Sequence, residues 1–439
     1  MTPYQAHLTQ LQSRFEQAMV HHQLDAILIY SGHHGYAFLD DNAMPFRVNP
    51  YFKIWLPLLK QERSFVLVRP NAKPKLFLYQ IADYWHAEPT LPSGEWQDAF
   101  ELEIIDDPAK ALKTCHSKFN NAALIGDTLD QSDMFQDWPE ASLNPSGLLA
   151  QLDYQRAYKT EYELENLRAA NRLAAKAHKV AKHAFFNGAS ELEIHHAYLA
   201  SLACREIDLP YNNIIALNEH AAVLHYDDYA PTPPAQSKSF LIDAGSSVNG
   251  YHADISRTYV GPDVKDGAEF AALFQAYKRE YFALLDEIQI GHSYLDFHDS
   301  AHRRLSGLLS EFELVNCSAE QAYALGYSRT FFPCGVGHYI GAQVHDVGGH
   351  LANELGELLP QDPRYPFLRL LRPMERNTVF TVEPGIYFIP QLLAEQSQNP
   401  DFNWSRIHQL KAFGGFRLED SMAITELGVE NLSAPHLDH

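Results

Sequence analysis

The sequence predicts an α/β domain over residues 1–156 and an α+β domain over residues 157–439. Three observations predict this. At 439 residues, the chain is longer than one ordinary hydrophobic core organises. Strand-like and helical segments alternate through the first 150 residues. Near residue 155 the pattern changes to long helices mixed with largely antiparallel strands.

Taken in order, residues 3–22 read as an amphipathic helix leading into the strand "LDAILIYSG". "RSFVLVRP", "PKLFLYQ" and "AALIGD" are further strands with buried apolar faces, and 107–118 is a helix. "DDNAMPFRVNPYFKIWLPLL", crowded with aromatic residues and proline, reads as an ordered loop. A long helix follows in "YKTEYELENLRAANRLAAKAHKVAKHAFFNG". Thr160 and Glu163 form a capping box at its start, and Asn187-Gly188 stops it. Leu164, Leu167, Ala174, Ala177, Ala181 and Ala184 recur between them at helical spacing. A second helix covers 190–204, and "GAEFAALFQAYKREYFALLDEIQIG" and "SYLDFHDSAHRRLSGLLSEF" are two more. Strands are expected in "NIIALNE", "FLIDAGSSVNGYHADISRTYV", "TVFTVEPGIYFI" and "GGFRLEDSMAIT".

Hydrophobic residues at 46% and charged residues at 20% are ordinary for a water-soluble globular protein. No apolar run is long enough to span a bilayer. The N-terminus has no basic stretch followed by an apolar one, so no signal peptide is expected. A net charge of −21 repels phosphate backbones and argues against nucleic acid as a partner. Cys115, Cys204, Cys317 and Cys334 lie far apart with no CxxC pair. That suggests neither a zinc site nor a disulfide framework, and points to the cytoplasm.

Four stretches concentrate chemistry. In "LIDAGSSVNGYHADISRTY", Asp243 and Asp254 sit on opposite arms of a hairpin. For a turn at 249–250 or 247–250 they share a face, diagonal or directly opposed. Two carboxylates at close range on a buried face need a cation, although an isolated aspartate is usually exposed. In "FTVEPGIYF", Glu383 lies among Val379, Val382 and Ile386, where burial is expected and water is the alternative. In "GGFRLEDSMAI", Arg417 and Glu419 share one face of a strand, as a site pair or as a plain surface ion pair. In "FFPCGVGHYIGAQVHDVGGH", His338 and His345 are flanked by Gly337, Gly341, Gly348 and Gly349, which permit close backbone approach. Together these supply four carboxylates and an imidazole, a charge match for two hard divalent ions.

The order and context of these residues resemble the pita-bread metallopeptidases, the creatinase/aminopeptidase-like group of methionine aminopeptidase, aminopeptidase P and prolidase. The likeness covers the whole second half. Through "FLDDNAMPFRVNPYFKIWLP" and "PFLRLLRP" it extends to bacterial prolidases and organophosphorus acid anhydrolases. The resemblance implies a dipeptidase acting on Xaa-Pro dipeptides through a hydroxide bridging two metal ions, usually manganese with cobalt substituting. Asp243 and Asp254 would hold one ion, His338 and Glu383 the other, with Asp254 and Glu419 bridging. Glu383 would carry the proton. His225 and His345 would steady the tetrahedral intermediate and the leaving nitrogen, and Arg417 would sit beside Glu419. Arg372 would meet the substrate carboxylate, with Tyr211, Val344 and Leu368 as pocket walls. Asp41 would be delivered from a partner subunit, which implies a homodimer built through the first domain, which also restricts the substrate.

The sequence departs from the group at one place. The usual His-Gly-x-Gly-His is "CGVGH" here, with Cys334 lining the substrate pocket in place of the first histidine. Rival functions are an aminopeptidase P-like enzyme on longer peptides and incidental hydrolysis of phosphoesters or phosphofluoridates. A non-catalytic binding protein of the same fold would be expected to have lost the carboxylates, and all are present.

Overall fold

A computed structural model describes residues 1–127, 129, 133–262 and 264–437. Two compact units emerge: Met1–Glu165 with Leu351–Glu357, and Asn166–His350 with Leu358–His439.

The first unit is α/β. Its sheet orders the strands Glu101–Ile105, Lys75–Tyr79, Phe65–Val68, Ala26–Tyr30 and Ala122–Ile125. The outer pairs are parallel and the inner pairs antiparallel. Continuous apolar runs such as Ala26–Tyr30 are buried on both faces, as strands covered on each side must be. The helix Pro3–His22 starts at a Thr2–Gln5 capping box and buries Leu8, Leu11, Phe15 and Met19 at helical spacing. Two expectations need correction. The expected loop over 40–59 contains the helix Pro50–Trp55. Asn49 caps it, Pro50 fits its first turn, and Tyr51, Phe52, Ile54 and Trp55 are buried. The edge strand Glu101–Ile105 was not foreseen, because its outer position leaves Glu101, Leu102, Glu103 and Ile104 exposed.

The second unit is α+β and takes most of the helix Glu161–Phe186. The Thr160–Glu163 capping box forms, with the Thr160 N–H donating to Glu163 Oε2 at 2.8 Å. Helices Glu191–Leu202, Gly267–Leu285 and Tyr294–Glu311 follow as expected. The named strand pairs of this unit are all antiparallel. One sheet orders Ser256–Val260, Ser239–Asp243 and Ile214–Leu217; another orders Thr378–Val382, Asp420–Thr425 and Gly428–Asn431. "TVFTVEPGIYFI" and "GGFRLEDSMAIT" are not single strands. Gly385–Tyr387 and Gly415–Arg417 split off to pair with each other. The first break falls at Pro384, which has no N–H to give a ladder. Ala177, Ala181, Phe185, Ile194, Ile215, Phe240 and Ile242 pack one core beneath this framework. Among the described residues, no helix is long and apolar enough to cross a membrane.

Candidate metal centre

The hairpin closes on a two-residue turn, Asn249-Gly250, both with positive φ (49° and 84°). Its register pairs Val248 with Tyr251, Ser247 with His252 and Asp243 with Ser256. Asp254 therefore lies two residues from the partner of Asp243, diagonal to it on the same face. Gly245 permits this approach, since a Cβ there would stand 2.1 Å from the Ala253 carbonyl oxygen. The Tyr211 hydroxyl lies 2.7 Å from Asp243 Oδ1 and 2.5 Å from Asp254 Oδ1. A phenol has one proton, so it donates to one aspartate at a time.

His338 faces these aspartates from the glycine-rich stretch. Its Nδ1 lies 2.9 Å from the Tyr339 carbonyl, which can only accept, so Nδ1 carries the proton. Nε2 then faces Asp254 Oδ2 at 3.6 Å and Glu383 Oε1 at 3.4 Å, where a proton or a cation would sit. Gly337 is needed because a Cβ there would meet the Thr381 carbonyl oxygen at 2.0 Å. Thr381 Oγ1 donates to Glu383 Oε1 at 3.3 Å, and the Glu383 N–H donates to the Val336 carbonyl at 2.8 Å.

Glu419 is buried at the break before Asp420 and accepts from Ser256 Oγ at 2.7 Å. Arg417 donates from Nη2 to Asp243 Oδ2 at 2.6 Å, from Nε to Ser256 Oγ at 2.7 Å and from Nη1 to Tyr387 Oη at 2.8 Å. It braces the site from behind and is no surface ion pair. Asp420 points away, accepting from Arg257 and Tyr281.

Electrostatics favour cations here. Burial, then the Asp254 charge, pushes Asp243 up to about 7. Burial also raises Glu383, and with Asp254 and Glu383 nearby raises Glu419 far above the carboxylate range. Burial works against Asp254 too, yet the bond and charge of His338 and the Tyr211 bond hold it below its usual value. One ligand atom each from buried Asp254, His338 and Glu419 fall within 4.8 Å of one another. Oxygen-rich, acidic and closed off, this donor set fits hard divalent ions.

The other expected residues are distributed around it. His345 stacks edge-on against His338, centroids 4.4 Å apart. Desolvation by its neighbours and the charges of His338 and Arg369 lower it to about 4, although the residue is exposed at the surface. His225 is exposed and close enough to bear on the titration of His345. Val344 is half-buried, and Leu368 is buried against the backbone at Gly335. Burial, with the Glu383 charge, pushes the Cys334 thiol up to about 12. Arg372 is buried and bonded to Glu375 through Nε at 3.1 Å and Nη2 at 2.7 Å. Asp41 is exposed on a first-unit loop closed by a Tyr36–Ala43 bridge.

Sequence reasoning missed Ser256, Thr381 and Arg369. Ser256 could have been found, since it stands two residues after Asp254 on the same face. Thr381 stands likewise two before Glu383. Arg369 gave no signal beyond its charge.

Two family models match the chain: the Xaa-Pro dipeptidase N-terminal domain over residues 2–154, and Metallopeptidase family M24 over residues 165–426. The "Xaa-Pro dipeptidase 2" of Idiomarina loihiensis is 44% identical, covering 99% of this chain and 98% of its own. The Xaa-Pro dipeptidase of Pseudoalteromonas translucida is 41% identical, covering 98% and 97%. The fold is that of the Pseudomonas aeruginosa aminopeptidase PepP, with a TM-score of 0.74 at 20% identity, covering 97% of this chain and 95% of that one. Zinc-substituted Escherichia coli aminopeptidase P gives 0.72 at 19%, covering 100% and 96%. Matched at both domains and along its length, the chain belongs to the pita-bread metallopeptidases of that family, with the N-terminal domain of the Xaa-Pro dipeptidases.

Proposed function

We propose that this chain hydrolyses Xaa-Pro dipeptides, with two divalent ions held by Asp243, Asp254, His338, Glu383 and Glu419. The reading is carried by the buried Asp254–His338–Glu419 group, set in a chain whose full-length relatives are described as Xaa-Pro dipeptidases. The carboxylate-rich donors suit a hard ion such as Mn²⁺ or Mg²⁺, and the family resemblance makes manganese the expected one, with cobalt as a substitute. When bound, the ions supply a water that is nucleophilic near neutral pH and polarise the scissile carbonyl.

The chain's own residues do the rest. Glu383, raised by burial, takes the proton of the attacking water and returns it to the leaving proline nitrogen. Thr381 fixes the carboxyl for that task. His345, uncharged at pH 7, steadies the developing oxyanion, and His225 beside it the leaving group. Arg417 acts through Asp243, which it holds in place. Tyr211, Val344, Leu368 and Cys334 shape the pocket. Asp41 reaches the site of a second copy, so the working form is a homodimer, and the cytoplasm is its compartment.

For the substrate carboxylate, Arg372 is the cation that the family pattern suggests. A second reading has one specific observation behind it. Arg372 is committed to Glu375, whereas exposed Arg369 lies near enough to His345 to depress its pKa. Hydrolysis of phosphotriesters or phosphofluoridates is an incidental activity in this reading, since their tetrahedral phosphorus resembles a tetrahedral carbon intermediate.

The test is an assay with Gly-Pro, Ala-Pro and Leu-Pro, in Mn²⁺, Co²⁺ and Zn²⁺, beside a tripeptide with proline second. Cleavage of the dipeptides over the tripeptide is expected. Preference for the tripeptide would transfer the chain to aminopeptidase P-like chemistry.

A further inference from the structure

His225 lies on a segment that ordinary loop physics would leave mobile. It is exposed, and its neighbours Asp227 and Asp228 are exposed polar residues. Its ends are held by Asn218, which donates to the Gln236 carbonyl, and by Tyr229, which donates to the Asn213 carbonyl, while among the described residues Glu191 alone bonds to its start, its interior and its end.

Glu191 opens the helix Glu191–Leu202, directly after the Ser190 cap. A first-turn glutamate usually faces water and gains from the helix dipole there. This one is 1% exposed. Its Oε1 accepts from the Leu217 N–H at 2.7 Å and from His220 Nδ1 at 2.8 Å. Its Oε2 accepts from the Tyr226 hydroxyl at 2.6 Å and from the Ala230 N–H at 2.8 Å. The four donors come from the start, the interior and the end of the chain between 217 and 230. His220 and Tyr226 stack on each other at 4.6 Å, so the two side-chain donors also brace one another. A buried carboxylate satisfied by four donors is a high-stakes element: each donor lost leaves a charge less compensated.

We propose that Glu191 is a positioning residue: its carboxylate clasps the 217–230 segment into a fixed loop and so sets where His225 stands at the site. Glu191 itself touches neither metal ligand nor substrate. The inference rests on the dipeptidase reading for its catalytic consequence. Its structural half is independent of any substrate.

The experiment is a double-mutant cycle on the metal-loaded enzyme with Ala-Pro, joined to hydrogen–deuterium exchange. Glu191→Gln replaces one acceptor by a donor, and the expected loss is about tenfold in kcat/KM in the parent background. In a His225→Ala background the same substitution should cost less than about twofold, because the residue it positions is gone. Tyr226→Phe removes a single donor and should show a smaller loss with the same dependence on His225. It decides the matter should Glu191→Gln not fold. Equal losses in both backgrounds, or no loss from a folded variant in the parent, overturn the proposal. Exchange should rise over 217–230 and stay unchanged over the Asp243–Asp254 hairpin. Unchanged exchange over 217–230 overturns it too. If the parent does not cleave Ala-Pro, or His225→Ala is as fast as the parent, the functional reading fails, and exchange alone decides the clasp.

Discussion

Ser256 donates from its hydroxyl to Glu419 Oε2 at 2.7 Å while accepting from Arg417 Nε, also at 2.7 Å. One small side chain therefore bridges the arginine that braces Asp243 and the neighbouring Glu419, whose Oε2 lies 4.0 Å from Arg417 Nε. Ser256→Ala would leave a buried carboxylate and a buried guanidinium N–H each short of a partner. Such a loss costs about 1–3 kcal/mol. Weaker metal binding, on the order of tenfold by chelator competition, is the expected result. Metal affinity equal to the parent's would show that Glu419 is held without this bond.

Glu419→Ala should remove bound metal and most activity together, because a buried donor common to the cluster is gone. Elemental analysis and turnover, measured on the same sample, check this. A variant with full metal content and parental turnover would remove Glu419 from the site.

The metal-free protein should carry a signature of Asp243. Its folded pKa is raised from 3.8 to about 7, so protonation favours the fold. The stabilisation is complete below the unfolded value near 3.8 and is lost as pH rises through about 7. Asp243→Asn mimics the protonated form at every pH. In excess chelator its Tm should gain on the parent from pH 4 to pH 7 and level off above. With metal restored, the parent should regain the advantage, since binding to the native state stabilises it. A Tm difference independent of pH in chelator would contradict the raised value.

Cys334 stays a neutral thiol near neutral pH, with its pKa at about 12. It is then no nucleophile, and alkylation by thiol reagents should be slow at pH 7. A thiol is also a weak hydrogen-bond donor where an imidazole is a strong one. Cys334→His should raise kcat/KM for Xaa-Pro dipeptides by roughly 5- to 150-fold, the equivalent of about 1–3 kcal/mol. Metal content should not change. No gain with metal bound would assign the cysteine to packing alone.

Arg372 and Arg369 are the two arginines proposed for the substrate carboxylate. Arg372→Ala should raise KM with little change in kcat if Arg372 is the anchor. If Arg369→Ala does so instead, the Arg372–Glu375 pair is a structural brace. Steady-state kinetics on both variants separate the two outcomes.

Much of this was legible in the sequence, for identifiable reasons. The Asn249-Gly250 turn is a local signal, and with period-two alternation it places Asp243 and Asp254 on one face. The Thr160–Glu163 box is equally local. The helix Pro50–Trp55 was hidden because apolar residues at nearly every position mask a helical period. The strand breaks beside Glu383 and Glu419 were hidden because each half pairs with a distant partner. Ser256 meets Glu419 across 163 residues of sequence, a contact no local pattern announces. The same holds for Tyr211, expected as a pocket wall and found with its hydroxyl within hydrogen-bond reach of both hairpin aspartates.

The hairpin turn has a consequence for how this site tolerates insertions and deletions. Side chains on a strand alternate faces, so any length change that shifted the register by one residue would carry Asp254 to the opposite side of the ribbon. Every proposed ligand would still be present in the chain, and an inventory of residues would find nothing missing. Yet Tyr211 would reach one aspartate in place of two, and His338 would face Asp254 no longer. At 249–250 the spacing between two carboxylates is itself a heritable part of the metal site, as vulnerable to a single codon gained or lost as Glu419 is to substitution.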